Sequence, residues 1–168
     1  MGCRHHAAGK VDGGTASTTN GKTGTLGRDL IKHFEGCRLD SYLCPSSIWT
    51  VGVGHTGPDV GSGMHITQTE ADRLLAQDLE RFEKAVADLI TVPLDQCELD
   101  ALISFTFNTG VGALQESTLR KRLNKGDPKS AVFAEELPRW VNGASGPLEG
   151  LVRRRDAEVR LANEKAFP

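Results

Sequence analysis

Apolar residues are scarce over residues 1–24 and then recur at helical spacing. The first stretch is rich in Gly, Thr, Ser, Asn and Lys, and offers too little apolar surface to offset the entropy of ordering it. A flexible tail is expected there, ahead of a folded unit at 25–168. In that unit Leu26, Leu30, Ile31 and Phe34 share one helical face, and Glu35-Gly36 ends the helix, glycine permitting a C-terminal turn. An acid in a last helical turn opposes the helix dipole, which singles out Glu35.

Between residues 37 and 56 the pattern becomes strand-like and crosses back on itself. It turns at Cys44-Pro45-Ser46-Ser47 and returns through Ile48-Trp49-Thr50-Val51 into Gly52-Val53-Gly54-His55. Alternate residues of a strand line one surface. Glu35, Cys44, Thr50 and His55 can therefore face one cleft while Leu39, Tyr42, Trp49 and Val51 hold the hairpin down. Residues 57–65 form an irregular loop.

Helical periodicity dominates the remainder. Thr67-Gln68-Thr69-Glu70 is a capping-box sequence opening a helix that carries Leu74, Leu75, Leu79, Phe82 and Val86 and runs to about Ile90, before Pro93. Asp95-Gln96-Cys97-Glu98 opens another, with Leu99, Leu102, Ile103 and Phe107 inward, ending at Thr109-Gly110-Val111-Gly112. A helix at 117–124 stops at Gly126, and Asp127-Pro128 supplies an N-cap followed by proline at the first helical position of the next. Pro138 truncates that helix. A loop over 142–149 leads to a last helix at 150–163. The fold class is α+β, mostly helical: a small β-hairpin lobe and a larger helical lobe, joined by the long helix at 67–90.

Composition narrows the function. A net charge of -2 argues against a large nucleic-acid surface, although Arg153, Arg154 and Arg155 concentrate positive charge near the C-terminus. No apolar run approaches the about 18 residues of a membrane span, and the N-terminus lacks the apolar core of a secretory signal. The four cysteines, Cys3, Cys37, Cys44 and Cys97, are too few and scattered for a disulfide scaffold. Cys37, Cys44, His55 and His65 contain the atoms of a zinc site but not a metal-ligand spacing, so no metal is expected.

Glu35, Cys44 and Thr50 match the pattern Glu, eight residues, Asp or Cys, five residues, Thr. Together with GVGHT at 52–56, SFTFNTG at 104–110, Ser117-Thr118-Leu119, Arg139-Trp140-Val141 and GLVRRR at 150–155, this resembles the phage-type lysozymes, or endolysins, of glycoside hydrolase family 24. The resemblance covers roughly residues 26–162. It implies a lysozyme-like catalytic domain at 25–168, with its cleft between the two lobes. The implied reaction is hydrolysis of the β-1,4 bond between N-acetylmuramic acid and N-acetylglucosamine in peptidoglycan, causing host lysis. No cofactor is implied. Peptidoglycan is the expected partner, with no nucleic acid, no membrane insertion and a monomeric state. The chain would be made in the host cytoplasm without a signal peptide and act on the wall after release.

In that scheme Glu35 is the general acid, a role that burial against apolar walls favours because the carboxyl must still hold its proton as the bond breaks. Thr50 holds the attacking water or a sugar hydroxyl, though a β-branched residue also suits a strand for its own sake. Cys44 stands where many members have Asp. It could act as a thiolate, as a largely neutral group shaping the water site, or as a covalent nucleophile; a disulfide to Cys37 would disable it. Phe107, Asn108, Thr56 and Thr118 are candidate substrate contacts. His55 is expected to be structural, paired with Asp78 of the long helix, and the arginines at 153–155 could include a partner for Glu35. Three rival readings stay open: a non-catalytic wall-binding module of the same fold, a lytic transglycosylase, and a thiol hydrolase using Cys44 with His55.

Overall fold

The computed structural model describes residues 20–44, 46–143 and 146–164. In chain order the elements are α1 (Thr25–Glu35), β1 (Arg38–Leu43), β2 (Trp49–Gly52), β3 (His55–Thr56), α2 (Gln68–Leu89), α3 (Gln96–Thr109), α4 (Val111–Glu116), α5 (Thr118–Lys125) and α6 (Lys129–Glu136). A short 3-10 turn (Leu137–Arg139), the strands β4 (Asn142–Gly143) and β5 (Gly146–Pro147), and α7 (Glu149–Glu164) complete the fold.

The sheet is antiparallel in the order β1-β2-β3. Its hairpin pairs Tyr42 with Thr50 and Leu43 with Trp49, and β3 adds a third strand by pairing Thr56 with Thr50 and His55 with Val51. The expected hairpin is thus a three-stranded sheet, and the loop at 57–65 closes against it through an Asp40–His65 bridge. Beneath the sheet, Val51, Val60, Ile66, Ala71 and Leu74 form a small core, against which Leu39 and Trp49 pack.

The larger core unites α1, α2, α3, α5, α6 and α7 around residues such as Leu30, Leu79, Leu102, Phe105, Leu119, Phe133 and Leu161. Helix α2 contributes to both cores: Ala71 and Leu74 to the small one, Leu75, Leu79, Phe82 and Val86 to the large one. Its start is fixed by a complete Thr67–Glu70 capping box, and the start of α3 by an equivalent Asp95–Glu98 box. Each cap stabilises its helix by about 1 kcal/mol. Helices α1 and α3 approach closely because Gly27 carries no side chain. A Cβ there would lie 2.7 Å from Asp100 Cγ.

Five details depart from the sequence pattern. Leu26 lies 38% exposed, because the buried face of α1 is Gly27, Leu30 and Ile31. The α3 terminus at Gly110 is followed at once by α4. The cap of α6 is Pro128 without a side-chain bond, since Asp127 is drawn instead to Arg122 at 3.1 Å. The loop at 142–149 holds the β4–β5 pair. Finally, part of the expected tail is built into the fold: Thr23 is buried, its N–H and hydroxyl both donate to Glu83 Oε1 at 2.8 Å, and the Gly24 N–H donates to Asp100 Oδ1 at 2.7 Å. The apolar pattern misses these anchors because they are polar. Residues 1–19 of that tail lie outside the described residues.

Candidate active site

Glu35 is the last residue of α1, and Gly36 turns the chain away with a φ of 75°. A carboxylate there meets the negative end of the helix dipole, so it needs a compensating charge. Arg154 of α7 supplies it: Nη1 donates to Glu35 Oε1 at 2.5 Å. The pair is asymmetric in exposure, 30% for the Glu35 side chain and 4% for Arg154. The cation therefore comes from the protein interior, while the carboxylate keeps one side open. Phe34 packs beside the guanidinium, with its ring centroid 5.6 Å from Arg154 Cζ.

Behind Arg154 lies a buried polar cluster that the sequence pattern did not single out. Glu158, fully buried, accepts from Ser104 Oγ at 2.8 Å and from Arg154 Nε at 3.3 Å. Arg155 Nη1 lies 3.2 Å from Glu158 Oε2, but the two are not aligned for a hydrogen bond and neither atom has another partner among the described residues. Arg155 Nη2 donates to Asn108 Oδ1. Burial pushes the Glu158 carboxyl up, opposed by the charges of Arg155 and Arg154 and by Ser104, and it pushes the Arg155 guanidinium down. Guanidinium groups do not lose their protons in proteins, so two of them against one carboxylate leave the anion as the form that cancels charge.

Glu35 opens onto a cleft of about 460 Å³, lined also by His33, Phe34, Asn108, Leu148 and Arg154. Asn108 is shared with two further cavities. One, of about 510 Å³, includes Arg81, Phe82 and Phe107; the other, of about 410 Å³, includes Arg139, Trp140 and Leu151. Asn108 therefore sits where three depressions meet. Phe107 is half-buried, its ring 5.1 Å from that of Phe82, so it serves core and surface together.

Cys44 and Thr50 lie together on the β1–β2 hairpin and are not among the residues lining the Glu35 cleft. Backbone hydrogen bonding from Ile48 and then Ser46 holds the Cys44 thiol below its ordinary value. Thr50 is buried and donates its one hydroxyl proton to the Ile48 carbonyl at 3.1 Å. That proton cannot also serve Cys44. With its proton given to Ile48, Thr50 Oγ1 remains an acceptor, able to hold a water by the water's proton. Cys37 and Cys44 are both free thiols. Thr56 and Thr118 are exposed, on β3 and at the start of α5, and line none of the three cavities that meet at Asn108.

His55 Nδ1 lies 2.9 Å from Asp78 Oδ2, which ties β3 to α2, and Nε2 lies 3.2 Å from Asp59, a partner the sequence pattern did not suggest. Burial lowers the His55 pKa, but Asp78 and then Asp59 outweigh it and the net shift is upward. Among the described residues no group of three or more His, Cys, Asp or Glu side chains could hold a metal ion.

The arrangement joins an acid held by a buried cation to a cleft with an amide at its junction, which suits cleavage of a bond in a polar polymer. Comparison with known proteins agrees. The Phage lysozyme family description matches residues 32–158. The endolysin of Acyrthosiphon pisum secondary endosymbiont phage 1 is 42% identical over 136 residues, spanning 79% of this chain and 91% of that protein. Among solved structures, the endolysin from Escherichia coli O157:H7 phage FAHEc1 has a TM-score of 0.79 at 35% identity, covering 90% of this chain and 99% of its own. The muramidase domain of SpmX from Asticaccaulis excentricus has a TM-score of 0.75 at 35% identity, covering 83% and 96%. With the family matching most of the sequence and the same fold in its relatives, this chain belongs to the phage lysozyme family.

Proposed function

We propose that Glu35 is the general acid with which this chain hydrolyses the β-1,4 bond between N-acetylmuramic acid and N-acetylglucosamine in peptidoglycan. The chain is a glycoside hydrolase of the lysozyme type, an endolysin acting on the cell wall. The observation that carries the residue assignment is the Glu35 carboxylate, open to the cleft on one side and fixed by Arg154 at 2.5 Å on the other. As the glycosidic bond breaks, Glu35 gives its proton to the leaving oxygen. Thr50 Oγ1 accepts a hydrogen bond from the incoming water, and the proton that this water loses as it attacks passes to the Cys44 thiolate beside it. Asn108 binds the sugar chain where the cavities meet. Phe107 lines one wall, and Thr56 and Thr118 are outer contacts. His55 and Asp78 are structural. The 25–168 unit carries the activity. The protein is made in the host cytoplasm and reaches the wall on release.

Glu35→Gln keeps the shape and removes the transferable proton. It is expected to lower turnover on purified peptidoglycan by roughly 10²–10⁴-fold with the melting temperature little changed. A folded Glu35→Gln protein with more than about a tenth of the activity overturns the assignment. Mass spectrometry of the wild-type products separates hydrolysis from transglycosylation: a reducing muramic acid end is expected, and an anhydro end would replace the hydrolytic reading with the other.

A further inference from the structure

We propose that Glu158 is a positioning residue for the reaction, a buried carboxylate that aims Arg154 at Glu35 and Arg155 at Asn108 and balances their charge. The inference rests on the reading of Glu35 as the acid. Its basis is geometric. Successive residues of α7 send their guanidinium groups to two different residues of the cleft, Arg154 to Glu35 at 2.5 Å and Arg155 to Asn108. Both guanidinium groups also meet Glu158, one turn further along the helix, at 3.3 and 3.2 Å. Ser104 of α3 fixes the same carboxylate at 2.8 Å and receives Arg154 on its own carbonyl at 3.3 Å. Arg154, Arg155 and Glu158 are all at least nine-tenths buried, so water does not screen them and a missing charge is felt at full strength.

Two cations stand against two carboxylates, Glu35 and Glu158. Without the charge of Glu158, an uncompensated buried cation faces Glu35, which favours its anion over the protonated form that acid catalysis uses. The other charged groups around the cleft are His33 of α1 and Arg153 of α7; Arg153 is 69% exposed and already pairs with Glu149, and Lys32 of α1 pairs with Asp72. Arg153 and Lys32 are thus engaged with carboxylates outside the buried cluster.

The test is the pH profile of kcat/KM for the full chain on purified peptidoglycan. Glu158→Gln is isosteric and neutral. Its alkaline limb is expected to move to lower pH by about one unit, with activity at neutral pH reduced about tenfold and partly regained on acidification. Glu158→Asp, which keeps the charge, should return the limb most of the way. A soluble, folded Glu158→Gln protein whose limb coincides with that of wild type overturns the proposal. If Glu158→Gln does not fold, Ser104→Ala serves: it removes one hydrogen bond from Glu158 without touching charge, and should move the limb in the same direction by less. An unmoved limb in folded Ser104→Ala then overturns the proposal. Failure of the underlying reading looks different, because an active Glu35→Gln protein removes the acid itself, whereas an inactive Glu35→Gln with unmoved limbs in the other variants removes only the role of Glu158.

Discussion

At Cys44 the backbone sets the chemistry. The turn that carries it brings Ile48 and Ser46 against the sulfur, and Ser47 adopts a φ of 59° to complete the turn. A thiol held below its ordinary value offers more thiolate at neutral pH, which moves Cys44 toward the anionic character that an aspartate would have at this position. Cys44→Asp is therefore expected to keep most of the activity and Cys44→Ala to lose at least about tenfold, measured as reducing ends released from peptidoglycan. Full activity in Cys44→Ala would make the residue a bystander. The anomer of the first product separates its roles, inversion pointing to an activated water and retention to a covalent nucleophile. The spacing of Glu35, Cys44 and Thr50 was visible in the sequence because residues on one short hairpin and the helix before it carry a local signature. Glu158 was not, and Ser104 was visible only as the first residue of the SFTFNTG motif, without its partner. They are brought together from α7 and α3, and a glutamate on a helix between arginines looks like a solvated face until its burial is known.

Between elements, the His55–Asp78 contact is the clearest link from the sheet to α2, and Asp59 adds the neighbouring loop. His55 has a raised pKa in the folded protein, so its stabilising contribution is complete below the unfolded value of about 6.5 and is lost as pH rises through the folded one. Asp59 is lowered, chiefly by its hydrogen bond with His55, so its contribution is present above about 3.9 and is lost as pH falls through the folded value. Melting temperature should therefore peak in mildly acidic solution and flatten there in His55→Asn. A double-mutant cycle with Asp78→Asn should show coupling, and additive losses would mean that the pair contributes nothing. Long elements with strong caps, α2 and α3 above all, announce themselves in the sequence. The two-residue strands β3, β4 and β5 and the six-residue α4 are too short for any period to register, and only tertiary contacts make them elements.

Across the whole molecule, Lys22, Thr23 and Gly24 pin the chain ahead of α1 to α2 and α3. Their removal takes from the buried Glu83 carboxylate both Thr23 donors and the Lys22 ammonium, 3.0 Å away, and takes from the buried Asp100 the Gly24 N–H, leaving Asp100 its bonds from Gly27 and Gln96. Each buried group left without a partner costs about 1–3 kcal/mol. Deleting residues 1–24 should thus lower the melting temperature by roughly 5 °C or more, while deleting 1–19, polar in sequence, should leave it nearly unchanged. Equal melting temperatures for the two deletions would remove the anchors from the account.

Among the described residues helix α2 belongs to two cores of very different size, five buried residues beneath the sheet and 22 in the larger core. A hydrogen-bonded rod shared by unequal partners does not have one lifetime along its length. Its first turns borrow their protection from the smaller partner, and its last turns from the larger. In deuterated solvent the amides near Ala71 and Leu74 should exchange well before those near Phe82 and Val86, although all lie in one unbroken helix. The sheet side would then loosen while the helical side stays closed, and a stiff polymer could enter at the edge that opens first.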